Sequence, residues 1–220
     1  MGRKKRFFFL NGFTLVELLV VIAILGLLIA LLMPALSGAR LSARVVKAKA
    51  ELSGIDTALS MYYDDFRIYP PSHTYCEYGG GDKAPDWAEI PPELTKGKYL
   101  PAADTGSHLT ASMLDPFNSD RTYKYLAPGR GYHNGSATIT GLWVPDNFNP
   151  NCTMGKMYTN QKDSPVKFAL WSVGTYGDIG YWKSLEYHHP MSSDRWYSGQ
   201  TRRGIIVRAR ATGGESITSP

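Results

Sequence analysis

Residues 13–36 form an unbroken apolar stretch in which Glu17 is the only charged side chain. As a helix, this stretch would cover roughly 36 Å, which exceeds a bilayer hydrocarbon core of about 30 Å. The basic run RKKR precedes it, so an ordinary secretory signal peptide is an alternative. The apolar part is too long for that class, and it runs into a second helical pattern without a cleavage site. We therefore expect a helix that spans a membrane.

Charge and cysteine content argue against a nucleic-acid-binding protein, a disulfide-rich scaffold and a zinc site. The 220 residues carry a formal net charge of +5, but four of the positive charges lie in residues 3–6. The rest of the chain is therefore nearly neutral, which gives no support for a nucleic-acid partner. Two cysteines, Cys76 and Cys152, are too few for a disulfide-rich scaffold and lack the paired spacing of a zinc site.

The apolar pattern becomes periodic beyond Pro34, which predicts an amphipathic helix over residues 37–64. Together with residues 13–36 it would form one long helix that Pro34 bends and that ends near Asp64, before Pro70 and Pro71. Asp56 falls on the polar face. The stripe expected to be buried comprises Leu36, Ala39, Ala43, Val46, Ala50, Leu52, Ile55, Leu59 and Tyr62.

Residues 65–220 are rich in glycine, proline and other turn-forming residues between short apolar runs, which is typical of antiparallel strands with long loops. We expect a short helix around 88–94. The fold class is therefore α+β, a long N-terminal helix packed on a small antiparallel sheet. No nucleophile elbow or dinucleotide fingerprint is present, so no enzymatic activity is expected. The predicted strands are Tyr123–Leu126, Ala137–Val144, Lys167–Ser172 and Gly204–Ala209.

The sequence KKRFFFLNGFTLVELLVVIAILGLL closely resembles the class III leader of type IV pilins and type II secretion pseudopilins. The resemblance implies that residues 1–12 are a leader, which prepilin peptidase removes by cutting between Gly12 and Phe13. Phe13 would then carry the methylated terminal amine. Glu17 would be the acidic fifth residue of the mature chain, and Pro34 the family's helix-kinking proline.

A lone carboxylate in an apolar helix is costly, so Glu17 is expected to have a function and a partner. No partner is evident in the neighbouring sequence. In the family, the proposed partner is the terminal amine of an adjacent subunit, here on Phe13, and this pairing sets the register of filament assembly. In the alternative, Glu17 extends to the membrane interface in a simple anchor.

The head, residues 65–220, is similar in its order of motifs to the major pseudopilin of type II secretion. It departs by insertions at 73–86 and 145–163 and by an unmatched C-terminal segment. The resemblance implies a late loop that binds Ca²⁺, with Asp178 as the candidate ligand. The alternative is a glycine-rich turn in which Asp178 caps its own backbone. The similarity rests on Asp115, Pro116, Phe117, Tyr123, Tyr125, Ser172, Gly174, Gly177 and Asp178.

In this topology Cys76 and Cys152 would both lie outside the inner membrane, where disulfides persist. Both fall in the two insertions, so a bridge between them would join these segments. The alternative is two unpaired thiols.

The resemblance implies a structural subunit of a type II secretion pseudopilus, a short filament thought to push substrates through an outer-membrane channel. The N-terminus would be cytoplasmic and the head periplasmic, although charges at both ends of the apolar stretch leave the orientation open by counting alone. Expected partners are prepilin peptidase, other copies of the chain, minor pilins or pseudopilins, the assembly platform and lipid. The alternatives are a type IV pilin of a surface filament and a membrane-anchored binding head that does not polymerise.

Overall fold

The computed structural model describes residues 13–75, 87–101, 113–148, 154–176, 191 and 193–220. Helix α1 spans Leu15–Phe66 and contains Pro34, and helix α2 spans Pro92–Lys96. The chain divides into two compact units, Met1–Ala43 and Arg44–Pro220. The first unit holds the beginning of α1. The second holds the rest of α1 and all described strands, which confirms the α+β class.

The described strands lie in four sheets of the second unit. In chain order they are β1 (Ser72–Tyr75), β2 (Trp87–Glu89), β3 (Leu114–Asp115), β4 (Asn118–Thr122), β5 (Lys124–Leu126), β6 (Gly129–His133), β7 (Ser136–Thr140), β8 (Leu142–Pro145), β9 (Gly155–Tyr158), β10 (Val166–Ser172), β11 (Ile206–Ala211) and β12 (Ser216–Thr218).

Within the second unit, α1 buries one apolar stripe, and its register differs from the expected one. Leu52, Ile55 and Leu59 are buried as predicted. Val46, however, is 66% exposed, while Val45 beside it is buried. Ala48 is likewise buried and not Ala50. One residue rotates the side chain by about 100° around the helix, so a stripe of small residues at mixed spacings is easily misassigned by one position.

The sheet β2-β1-β6-β7 contains one parallel pair, β1 with β6, beside two antiparallel pairs. Strands β6 and β7 form a hairpin whose two-residue turn is Asn134 and Gly135. Both turn residues have positive φ, 49° and 79°, as a type I′ turn requires. The pairing in this sheet is therefore antiparallel, as expected, except between β1 and β6.

The sheet β12-β11-β10-β5 is antiparallel throughout, and its strands β5, β10 and β11 contribute many of the buried apolar side chains. Trp171 on β10 is fully buried. Around it lie the buried side chains of Leu126, Val144, Ala169, Met191, Ile205, Val207 and Ala209. Strands β5, β10 and β11 agree with three of the four predicted strands, with bounds shifted by one or two residues.

Two other predictions need correction. The expected strand Ala137–Val144 is interrupted at Gly141, where β7, paired with β6, gives way to β8, paired with β9. A Cβ at Gly141 would lie 2.7 Å from Met157 Sδ on β9, so the Met157 side chain packs directly against this glycine. The helix expected at 88–94 begins only at Pro92, because Ala88 and Glu89 pair with β1.

Candidate assembly site

In the first unit, the beginning of α1 exposes an apolar surface that no other described part of this unit covers. Every residue from 13 to 37 is exposed, and the large apolar side chains from Leu15 to Leu36 are 44–79% exposed. Of the described helices, α1 is the one that is long and apolar enough to cross a membrane. Such a surface is incompatible with water over this length, so lipid or equivalent helices must cover it. It fits anchoring in an inner membrane.

Glu17 caps the start of its own helix. The backbone N and the Oγ1 of Thr14 donate to Glu17 Oε2 over 2.8 and 2.7 Å, and Glu17 N donates to Thr14 Oγ1 over 3.2 Å. This is a reciprocal capping box, which satisfies backbone donors that a helix start leaves free. The expectation that Glu17 has no partner nearby is therefore wrong. The T-x-x-E spacing before an apolar run was the signal that would have identified Thr14.

The other residues expected at this site lie at the same end of the chain or farther along the helix. Phe13 precedes the first turn, Gly12 lies outside the described residues, and α1 continues through Pro34. Ser37 Oγ donates to the Pro34 carbonyl oxygen over 2.8 Å.

In the second unit, α1 is fixed to the sheet by a carboxylate that the sequence pattern placed on the exposed face. Asp56 is 3% exposed. Its Oδ2 accepts from Arg208 Nε over 2.7 Å and its Oδ1 accepts from Arg210 Nη2 over 2.5 Å, both on β11. Charge-assisted bonds of this kind are stronger than neutral ones. They hold this part of α1 in one register against β11.

A second link joins α1 to the chain before β5. The fully buried Tyr123 donates its hydroxyl to Glu51 Oε2 over 2.5 Å. Burial and this bond to a carboxylate raise the pKa of Tyr123 above its ordinary value. Tyr123 was singled out by its motif, but its partner was not.

The structure also brings two distant sequence motifs together. Asp115 Oδ1 accepts from Ser172 Oγ over 2.7 Å, and Asp115 Oδ2 accepts from the backbone N of Val173 over 2.8 Å. The backbone N of Phe117 also donates to Asp115 Oδ1, over 2.9 Å. Burial raises the pKa of Asp115 although these donors and the charge of Lys124 oppose the shift. The turn at Asp115 thus anchors the beginning of the late loop.

Asp178 and Gly177, the residues expected in a calcium loop, lie outside the described residues, as do Cys76 and Cys152. The calcium site and the disulfide therefore stay predictions. In the part of the chain that the structure describes, no group of three His, Cys, Asp or Glu side chains is placed to hold a metal ion.

Comparisons with known proteins show which sequences the chain is similar to. The prokaryotic N-terminal methylation motif matches residues 11–33. A type II secretion system core protein G of Pseudomonas aeruginosa is 34% identical over 119 residues, 54% of this chain and 75% of that protein. The same core protein of Aeromonas hydrophila is 43% identical over 120 residues, again 54% and 75%. A type IV major pilin of Neisseria gonorrhoeae is 32% identical over 128 residues, 57% of this chain and 72% of the pilin.

No solved structure matches the chain significantly. The relatives are similar over most of their own length, and the methylation motif contains the residues around Phe13 and Glu17. The chain therefore belongs to the family of type IV pilins and type II secretion pseudopilins.

Proposed function

We propose that the chain is a structural subunit of a type II secretion pseudopilus that serves protein export. The observation that carries the proposal is the uncovered apolar segment 13–36, which begins inside the methylation motif. Several relatives named as core protein G of type II secretion support the choice within the family. The subunit's role is assembly, and catalysis has no part in it.

Processing is the first step of the proposal. Prepilin peptidase cuts between Gly12 and Phe13 and methylates the new amine, which keeps its positive charge. Before assembly the apolar segment is stored in the inner membrane, with the N-terminus cytoplasmic and the head periplasmic. Lipid covers the segment in this state.

Assembly then exchanges lipid for protein around the same segment. Equivalent helices of other copies cover it, and contacts of this type that do not close into a ring generate a helical filament. The Glu17 carboxylate keeps acceptor capacity beyond the bonds from Thr14, so it can also receive the Phe13 amine of a neighbouring subunit. Minor pilins or pseudopilins and the inner-membrane assembly platform complete the set of partners.

The test of processing is the intact mass and N-terminal sequence of the protein recovered from its native membrane. We expect a chain that begins at methylated Phe13. A Gly12→Val variant is the matched control and should retain residues 1–12. A wild-type chain that still carries this segment in cells with active peptidase would contradict the proposal.

Assembly separates the proposal from a membrane-anchored head that does not polymerise. Glu17→Ala should still insert into the membrane, as carbonate extraction reports, but should lose cross-linking between subunits. Val20→Ala, in the same apolar segment, is the control and should assemble. Normal cross-linking of the Glu17 variant would favour the anchored head.

The second candidate is a type IV pilin of a surface filament for adhesion, motility or DNA uptake, which the gonococcal relative supports. Shearing of intact cells distinguishes the two. A surface pilus is released into the medium by shearing, whereas a periplasmic pseudopilus stays with the cells.

A further inference from the structure

A cleft of about 370 Å³ opens in the second unit, and none of the functions above uses it. It lies where the end of α1 and the chain after it meet the β6–β7 hairpin and residues 159–162. The volume is at the lower end of the range for ligand pockets and suits about two or three side chains.

The lining of the cleft is basic. Arg67, Arg130, Lys162 and Lys167 contribute to it, and none of its described lining residues is acidic. Lys167 is engaged in shaping the wall, because its Nζ donates to the carbonyl oxygens of Gln161 and Ser164. Arg67 Nη1 lies 3.9 Å from Oδ1 of the exposed Asp64, so these two residues form only a weak ion pair.

Arg130 and Lys162 are the cations that remain available. Both are exposed, and no Asp or Glu of the described residues lies within ion-pair distance of either side chain. Arg130 and Lys162 can therefore pair with the carboxylates of a ligand without first breaking an ion pair to a described residue.

Apolar side chains lie beside these cations. Ile68 is 52% and Ile139 is 65% exposed, and Tyr63 is exposed as well. Arg130 and Ile139 are directly opposite each other on β6 and β7, so they share one face of the sheet. A free inorganic anion would leave this apolar part uncovered.

The walls are already ordered. The Gln161 side chain accepts from the backbone N of Tyr69 over 3.1 Å and donates to the Tyr69 carbonyl oxygen over 3.3 Å. Tyr69 in turn stacks on Tyr63 with ring centroids 4.8 Å apart. A preformed site lowers the entropy that binding costs. The hydroxyl of Thr159 and the amide of Asn160 add groups that suit a peptide backbone.

We propose that this cleft binds a short peptide segment of a partner protein in which an acidic side chain lies next to an aliphatic or aromatic one. The acidic group pairs with Arg130 and Lys162, and the apolar group covers Ile139 and Ile68. The proposal goes beyond filament assembly, since it concerns what the head binds.

The test is fluorescence anisotropy of a labelled peptide, Glu-Leu-Asp-Phe-Glu, with the full chain in a neutral detergent. One comparison peptide has its carboxylates replaced by amides, and the other has Leu and Phe replaced by Ser. We expect saturable binding of the first peptide and affinity at least about fivefold weaker for both others.

Matched variants locate the site. Arg130→Gln combined with Lys162→Gln should weaken the affinity about five- to tenfold, and Ile139→Ser about threefold. Arg203→Gln removes an exposed charge outside the cleft and should leave the affinity unchanged. Thermal unfolding monitors that each variant is folded.

Three results would overturn the proposal. The first is the absence of saturable binding. The second is equal binding of the peptide that contains Ser, which would indicate ionic attraction alone. The third is an equal loss with Arg203→Gln, which would indicate attraction to the overall charge and not to the cleft.

Discussion

Arg208 Nε on β11 donates to the Asp56 carboxylate on α1 over 2.7 Å, across 152 residues of sequence. Together with Arg210 this pair places two cations on one buried acid. The acid is buried, and the side chains of Arg208 and Arg210 are only 24% and 21% exposed. Their geometry therefore fixes the register between α1 and β11 more than a fully exposed ion pair would.

Asp56→Ala should lower the free energy of unfolding by about 2–4 kcal/mol, since it leaves two guanidinium groups facing a buried, unpaired position. Urea unfolding of the full chain in detergent measures this. Asp64→Ala is the control, because Asp64 is 75% exposed in a pair of 3.9 Å, and it should cost less than about 0.5 kcal/mol. Equal effects of the two variants would contradict the role assigned to Asp56.

Asp115→Ala should cost about 2–4 kcal/mol of unfolding free energy, because the buried donors on Ser172 and Val173 lose their acceptor. Ser172→Ala should cost about 1 kcal/mol. Since the two residues share a hydrogen bond, the double variant should lose about 0.5–1 kcal/mol less than the sum of the single changes. Strict additivity would show that the bond contributes nothing of its own.

Because Glu93 pairs with His73, we expect the stability of the fold to decrease at acidic pH. His73 Nε2 lies 3.1 Å from both Glu93 carboxylate oxygens. Burial alone would raise the pKa of Glu93, but the bond and charge of His73, with smaller contributions from the backbone and Lys96, outweigh it, so the pKa is lowered from 4.5.

A folded-state pKa below the unfolded one means that this stabilisation is complete above pH 4.5 and is lost as the pH falls through the folded pKa. Glu93→Gln should therefore flatten the fall in stability below this pH. The midpoints of urea unfolding of the wild type and of Glu93→Gln, measured at several acidic pH values, report this difference. A variant with the same acid dependence as the wild type would exclude Glu93 as its source.

Because Tyr99 bonds to Asp65, we expect the stability of the fold to decrease at alkaline pH. Its hydroxyl donates to Asp65, and this bond, with smaller contributions from burial and neighbouring charge, raises the pKa of Tyr99 to about 12. Because the folded pKa lies above the ordinary value of 10, the stabilisation is present below pH 10 and is lost as the pH rises toward 12.

Asp65→Asn should return the pKa of Tyr99 toward 10, since the acceptor loses its charge. A titration that follows the phenolate absorbance, with Tyr99→Phe to identify the signal, measures this shift. An unchanged titration in Asp65→Asn would refute the assigned cause.

The sequence alone determined the long helix and its apolar first part, and it singled out Glu17 as the one charged residue there. These follow from an apolar composition over many residues and from a local motif, and neither depends on what lies elsewhere in the chain. Even the bond that Glu17 makes is local, since Thr14 is three residues away.

The tertiary structure decided the rest. It buried Asp56 because Arg208 and Arg210 arrive from the other end of the chain, and it joined Asp115 to Ser172. It also divided the apolar run 137–144 at Gly141, where each part pairs with a different strand. Such contacts depend on which segments meet in space, and periodicity within a single segment carries no information about its partner.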